Sequence, residues 1–517
     1  MANSRMNGKD EKRELGSAPS KLKMNGHEVS EDEIIVVPSG PLAMEGLWAK
    51  ELSRIQRNER EVNDDKVHGI KSWAVGETPE KITRALNTMQ TEINMLPVEE
   101  KRAHLRGLKS QSLYTQSKEF RLRFLRATGF NTKDAAIRYC KCLDYLVEVF
   151  GEFALTRRLF ITDLNEDEIS YLHEGNFQLL PSRDCLGRRI VAYNIHPTSR
   201  PYSVEIIFKV YAYLLFAIIS EDITTQRNGM VYVGVIGKTK LSHGGNHMPR
   251  LRRMFGAIPL RWGAVHLCVP NEPVYQVITA LFMAWIGQEG RKVLRIHRGY
   301  PIECCYSLRS FGIPVEDMPE MQSGQFKKNI LRLIKVRMAM DKFAKEQEIV
   351  SKKLSRKRGA PSAPKPFLGI ECPEINFVIL GSSKKNCSQN DKHIGNASFR
   401  RIMFANEGFK NYLKDRNEKG EGNSRRAEIN KIAEAILYES WLEGLHFVEY
   451  NQEQSFFTEM QSIEDIRQKV VTDMRHQRVR HEAEAFAVSK KRNSRGTESS
   501  ESASFDVSQR AFFTGCV

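Results

Sequence analysis

The spacing of apolar positions changes along the chain, and the change separates a helical region from a region of mixed strands and helices. Between residues 78 and 150, apolar positions recur at helical spacing. We expect two helices within 79–110, a third from about Ser117, and a fourth from a cap at Asn131 to Phe150. This pattern predicts a small helical lobe over 78–150.

Beyond the lobe, over residues 160–320, short strand-like runs alternate with helical runs. The first two runs flank a turn that contains Gly187, which predicts a hairpin. Strands that alternate with helices are typical of a mostly parallel sheet with both faces covered, so the predicted fold class is α/β. The predicted strands lie at 177–180, 189–194, 229–237, 263–269 and 293–297, and the predicted helices at 203–222, 248–255, 273–286 and 301–311.

The remaining parts of the chain are more polar. Residues 1–43 and 489–517 contain too few apolar side chains to offset chain entropy, so we expect both to be disordered. Residues 325–366 predict a long basic helix and an exposed linker. Over 374–478 the pattern predicts a separate, mainly helical domain with one short strand and helices near 397–414, 424–441 and 463–478.

The formal net charge of +16 predicts attraction to anionic partners, either nucleic acid or acidic lipid headgroups. Residues 321–366 hold thirteen Lys and Arg against three Asp and Glu, so much of the excess lies there. We expect no signal sequence and no membrane span, because the longest apolar runs are about half the roughly twenty residues that a span needs. The expected location is cytoplasmic and peripheral to membranes, and the basic cluster at 356–358 leaves a nuclear location open.

Four blocks, in order, resemble the CRAL-TRIO lipid-binding family, which includes the tocopherol-transfer and retinaldehyde-binding proteins. They are FRLRFLRATGF at 120–130, LLPSRDCLGRRIVAYNI at 179–195, QRNGMVYVGVIG at 226–237, and the stretch 258–299. The last block has the family's order of Pro-Leu-basic, strand, Asn-x-Pro, apolar helix and final strand. The resemblance covers about 117–320 and implies a CRAL-TRIO fold.

The resemblance also implies a cavity for a hydrophobic, lipid-like ligand, with the sheet as floor and the helix after Pro273 as lid. Sequence alone does not tell which face of each strand looks inward, and ordinary core packing is the alternative for every one of these positions. Spacings of three and four place the lid residues on one face, toward a cavity or toward a membrane. The floor candidates are Val231, Val233, Val265 and Leu267, and the lid candidates are Val274, Ile278, Leu281, Phe282 and Trp285.

In the family, a basic groove receives phosphoinositide headgroups, and guanidinium groups suit phosphate because they present a planar fork of donors. The matching positions in this chain are Arg126, Arg261, Arg291 and Arg295. The alternative for each is a solvated surface charge.

Two functions therefore stay open. The first is binding and intermembrane transfer of a lipid-like ligand, with transient recognition of an anionic membrane and with no cofactor or metal. The second is a signalling or scaffold role in which the basic C-terminal half binds protein or nucleic acid, of which we expect nucleic acid less. We do not expect an enzyme, since neither a G-x-S-x-G elbow nor a Gly-Lys-Ser/Thr phosphate loop is present.

The C-terminal region also resembles a known domain. Its Leu380-Gly381 pair, the block HIGNASFRRIM at 393–403 and the segment 470–475 are similar to a domain of unknown function common in diatom proteins. That domain has no established activity, so the resemblance implies no function. A protein partner that binds the C-terminal domain is a separate expectation.

Overall fold

The computed structural model describes residues 41–72, 74–110, 113–194, 198–236, 247–319, 328–355, 369–381, 393–414, 423–451, 453 and 455–495. The predicted linker, most of both predicted disordered ends and the final residue of the strand predicted at 229–237 lie outside these residues.

The N-terminal third is helical, as the spacing of its apolar residues predicts. Each predicted helix between 79 and 150 is confirmed, and the side chain of Asn131 accepts a hydrogen bond from the backbone N–H of Asp134, which is the expected cap. The helices are α1 (Pro41–Arg54), α2 (Arg57–His68), α3 (Pro79–Met95), α4 (Arg102–Lys109), α5 (Lys118–Ala127) and α6 (Thr132–Phe150).

The pair α1–α2, residues 41–68, was not predicted, and we call it the N-terminal hairpin. The predicted disorder of residues 1–43 is wrong at its end, because α1 already begins at Pro41. Proline suits the first turn of a helix, and Met44 and Val67 are both buried in the main hydrophobic core. The hairpin is thus ordered by tertiary packing, and the polarity of its own sequence does not reveal this packing.

The central unit has the predicted mixed α/β class. Its five-stranded sheet has the order β1-β2-β3-β4-β5, with β1–β2 antiparallel and the other pairs parallel, so the predicted hairpin and parallel sheet are confirmed. The strands are β1 (Phe177–Arg183), β2 (Arg189–Asn194), β3 (Met230–Val235), β4 (Trp262–Val269) and β5 (Leu294–Arg298). The helices are α7 (Glu166–Glu174), α8 (Val204–Glu221), α9 (Ile223–Asn228), α10 (His247–Ala257), α11 (Val274–Lys292) and α12 (Pro301–Ser310).

The C-terminal half contains a second sheet that the sequence did not predict beyond one short strand. Four strands pair in the order β6-β9-β8-β7, since runs of two to six residues show too little alternation to stand out. The elements are α13 (Ile330–Ser355), β6 (Gly369–Ile370), β7 (Phe377–Ile379), α14 (Ile394–Ala405), α15 (Glu407–Lys414), α16 (Asn423–Leu442), β8 (His446–Asn451), β9 (Phe456–Glu459) and α17 (Ile463–Arg495).

Helix α17 also corrects the predicted disorder of residues 489–517. It continues to Arg495, and the stretch from Ile463 to Arg495 has no Gly or Pro to end it. Polar composition alone does not end a helix, so the predicted start of disorder at residue 489 lies before the true end of α17.

A cluster of buried charges joins the C-terminal unit to the central sheet, so the predicted separation of the two is only partial. Glu371 accepts a hydrogen bond from Arg337 at 2.7 Å and pairs with Arg189 of β2. Arg183 of β1 donates to the carbonyl oxygens of Cys372 and Pro373 at 3.0 Å each. Burial alone would raise the pKa of Glu371, but the two arginines outweigh burial and lower it to about 2.

We expect Glu371→Gln to lower the free energy of unfolding by about 3 kcal/mol, because it leaves buried guanidinium charge without its partner. A group with a depressed pKa stabilises the protein above its unfolded pKa, so this contribution should disappear as pH falls from about 4.5 to about 2. Denaturant unfolding at neutral and acidic pH measures both effects. The control is Glu443→Gln, whose pair with Arg401 is exposed; equal losses in the two variants would contradict the expectation.

Candidate functional site

Helix α11, the predicted lid, lies on one face of the sheet. The ring of Phe282 in α11 stacks on that of Tyr232 in β3, with centroids 6.2 Å apart. In the parallel register Tyr232 pairs with Val265, and Gly234 pairs with Leu267. Register partners point to the same side of a sheet, so these four residues share the face that α11 covers. We call it the α11 face.

The four predicted floor residues are all buried, but the structure divides them between the two faces. Val265 and Leu267 lie on the α11 face, whereas Val231 and Val233 alternate with Tyr232 and point to the other side. The register therefore decides a point that the sequence left open. Of the four candidates, only Val265 and Leu267 are placed to meet a ligand held under α11.

The predicted lid residues are also divided. The side of α11 that is buried carries Tyr275, Thr279 and Met283. Val274 and Leu281, for which the sequence left a cavity and a membrane as alternatives, are 58% and 48% exposed. Ile278 and Phe282 are half-buried at the flank, and the side chain of Trp285 lies outside the described part of the structure. The buried side of α11 thus carries none of the four lid candidates whose side chains the structure describes.

A break in α11 separates its covering part from its end. Gly287 has φ 72° and ψ 175°, a backbone conformation open almost only to glycine, so the helix consists of two segments that meet there. A Cβ atom at this position would meet nothing within 4 Å, so the requirement for glycine is conformational rather than steric. Such a position suits a hinge between residues 274–286 and the segment that follows.

Two small cavities are lined by described residues, one away from α11 and one at the start of that helix. One has room for about 20 Å³ and is lined in part by Tyr213, Arg337 and Asp341. The other holds about 10 Å³ beside Tyr275 and Arg298. The first is the size of one water molecule. The rings of Phe282 and Tyr232 stack directly on each other, so a ligand between these two rings requires that α11 shift.

The four predicted headgroup residues occupy two places. Arg126 is buried, binds both carboxylate oxygens of Glu77 at 2.8 Å, and donates to Gln226. Its guanidinium group is buried and already bonded to Glu77 and Gln226, so it does not face a headgroup at the surface. Arg261 lies beside it and donates to the carbonyl oxygen of Arg126 at 3.4 Å, and burial lowers the pKa of Arg261 to about 10.

The other two predicted residues follow the hinge. Arg291 binds both oxygens of Glu51 at 2.6 Å, and Arg295 pairs with Asp64. Burial, then the charge of Arg261 and more weakly that of Lys292, lower the pKa of Lys66 in α2. The basic residues that follow Gly287 are Arg291, Lys292, Arg295 and Arg298, which we call the basic region; the sequence did not identify Lys292 or Arg298.

Sequence reasoning also missed the carboxylates that face this basic region. They lie on the N-terminal hairpin, whose apolar residues Met44, Leu47 and Trp48 recur at spacings of three and four. That spacing is a helical signal and would have identified α1.

Two buried histidines lie on the opposite side of the sheet from α11. His266 and His297 share a hydrogen bond of 3.0 Å between ring nitrogens, and Phe311 packs on both rings. Burial lowers the pKa of His297 to about 4, so it is neutral at physiological pH. Both are therefore hydrogen-bonded core residues.

No protein-family model matches the chain, and no curated protein matches its sequence. Among the described residues, no helix has the length and apolar character to cross a membrane.

We expect Gly287→Ala to lower the free energy of unfolding by about 1 to 3 kcal/mol or to straighten α11, because alanine disfavours this backbone conformation. Gly256→Ala in α10 is the matched control, since its added Cβ also meets nothing within 4 Å and its φ is not in the left-handed region. Thermal unfolding and hydrogen exchange over 274–292 measure the difference. Equal behaviour of the two variants would show that the break is not a hinge.

Proposed function

We propose that this chain binds a hydrophobic, lipid-like ligand between α11 and the sheet, and exchanges it at an anionic membrane surface in the manner of CRAL-TRIO proteins. The observation that carries the proposal is helix α11, which is broken at Gly287, covers an apolar sheet face and presents a second apolar face outward. The quoted blocks and the order of strands and helices over 117–320 support the same family.

The outward face of α11 supports the membrane part of the proposal. Val274, Val277 and Leu281 recur at spacings of three and four and are all about half exposed. A row of exposed apolar side chains along one face of a helix is typical of a surface that lies in the membrane interface.

The inward face supports the ligand part. Tyr232, Val265 and Leu267 form an apolar surface under α11, and the side chains of Tyr232 and Leu267 close over the backbone of Gly234. If residues 274–286 move about Gly287, this surface becomes the floor of a cleft whose rim is apolar. A cleft of this kind recognises its ligand by apolar contact with little hydrogen bonding, which fits an acyl or isoprenoid chain.

The scaffold function remains a second candidate, and one observation favours it. Helix α11 packs closely on the sheet, and its residue Met283 is fully buried. A fold that never opens would keep this packing and use only its outer surfaces. The two functions differ in whether a ligand enters.

Native mass spectrometry of the full chain, followed by lipid extraction, tests the proposal. The full chain is required because the N-terminal hairpin packs on α11 and residues 371–373 bind the central sheet. One co-purified lipid for each chain, or one acquired from liposomes, is the expected result. A mass that stays at the apo value after incubation with liposomes would favour the scaffold function.

We expect Val277→Ser together with Leu281→Ser to weaken binding to anionic vesicles by roughly tenfold, because each side chain loses part of its transfer free energy into the interface. Stability should change little, since both side chains are exposed. Val98→Ser with Leu108→Ser removes two exposed apolar side chains from the helical lobe and is the control. Vesicle co-sedimentation measures the affinities, and equal losses in both double variants would remove α11 from the membrane surface.

A further inference from the structure

The N-terminal hairpin places four carboxylates against the four basic residues that follow the hinge of α11. Two of these bases, Arg291 and Arg295, are the ones that the CRAL-TRIO resemblance assigns to headgroup recognition. The pairs are Glu45–Arg298, Glu51–Arg291, Glu59–Lys292 and Asp64–Arg295. The hairpin therefore neutralises four bases that would otherwise attract an external anion.

The strongest of these contacts lies directly after the hinge. The guanidinium of Arg291 binds both oxygens of Glu51 and donates to the carbonyl oxygen of Met283 at 2.8 Å. The indole N–H of Trp48 donates to the carbonyl oxygen of Arg291 at 3.1 Å. A bidentate ion pair between mostly buried side chains is stronger than a single exposed contact. Helix α1 thus binds Arg291, on the side of Gly287 that leads into β5.

The remaining contacts are more accessible to solvent. The side chains of Asp64 and Glu59 are 60% and 47% exposed, and the Glu45–Arg298 pair is about one-third exposed on each side. Exposed ion pairs are weak and are screened by salt, so a dense array of external anions can compete with them. The hairpin is therefore held by one mostly buried ion pair, Glu51–Arg291, and by three more exposed pairs that salt or other anions can replace.

The position of the hairpin couples these pairs to the movement of α11. Helix α1 packs along α11, while α2 packs on β4 and contacts the opposite face of the sheet through His68, whose ring stacks on Phe311. The hairpin consequently contacts both faces of the sheet at its β5 edge. Because Arg291 also donates to the carbonyl oxygen of Met283, movement of residues 274–286 away from the sheet breaks this hydrogen bond and disturbs the Arg291–Glu51 pair that α1 supplies.

We propose that the N-terminal hairpin is a latch that holds α11 closed and masks the basic region, and that an anionic lipid surface displaces it by binding the same basic residues. This inference rests on the proposed function. It adds that opening is coupled to arrival at an anionic membrane, where lipid phosphates and carboxylates replace the carboxylates of the hairpin. In solution the basic region stays paired and α11 stays on the sheet.

The test uses the full-length chain carrying Glu59→Gln and Asp64→Asn, which removes two exposed carboxylates and leaves the firm pair in place. The control is Glu148→Gln with Glu152→Gln, which makes the same change in net charge at exposed pairs with Arg253 and Arg106. Binding to phosphatidylcholine vesicles that contain phosphatidylserine is measured by co-sedimentation. Hydrogen exchange over 41–68 and 274–292 is measured with and without these vesicles.

We expect the latch variant to bind the vesicles roughly threefold to tenfold more tightly than the control, because less competition must be overcome. In the unmodified chain, vesicles should speed exchange over 41–68. Equal affinities for the two variants, with exchange over 41–68 unchanged on vesicles that the chain does bind, would overturn the latch and leave the proposed function intact. Failure of all forms to bind vesicles, with no lipid acquired, would overturn both.

Discussion

Buried guanidinium groups must be paired, and in this chain their partners come from distant segments. Arg188 has no exposed surface; it pairs with Asp184 in the β1–β2 turn and donates to the carbonyl oxygen of Lys66 at the end of α2. Gly263 of β4 lies so close to this guanidinium that a Cβ atom there would overlap it. Arg188 thus fixes the distances between the N-terminal hairpin, the β1–β2 turn and β4.

The same constraint recurs at the other joins of the molecule. Arg126 with Glu77 ties the segment before α3 to α5, and Arg189 and Arg337 with Glu371 tie the C-terminal unit to the sheet. These pairs are buried and are expected to be permanent. The pairs of the N-terminal hairpin around Arg295 and Lys292 are more exposed, and this difference in burial separates the fixed joins from the contact that we propose to open.

Helix α11 brings the proposed function and the proposed latch together. Its inner face packs on the sheet, its outer face carries exposed apolar residues, and its end beyond Gly287 is held by α1. An apolar outer face is costly in water and favourable at a lipid surface. The same surface that attracts this face supplies the anions that compete with the hairpin, so both effects favour opening at the same location.

The sequence by itself determined the helices of the lobe, the strands of the central sheet and their mixed α/β class, because apolar spacing and local turn signals specify such elements. It did not determine which strand face looks toward α11, since Val231 and Val265 are equally apolar and only the register of β3 and β4 separates them. The short strands around His446 and Phe456 needed their partners to form. The pairing of Arg291 with Glu51, 240 residues apart along the chain, was decided only by the tertiary structure, because the sequence records charges but not the distances between them.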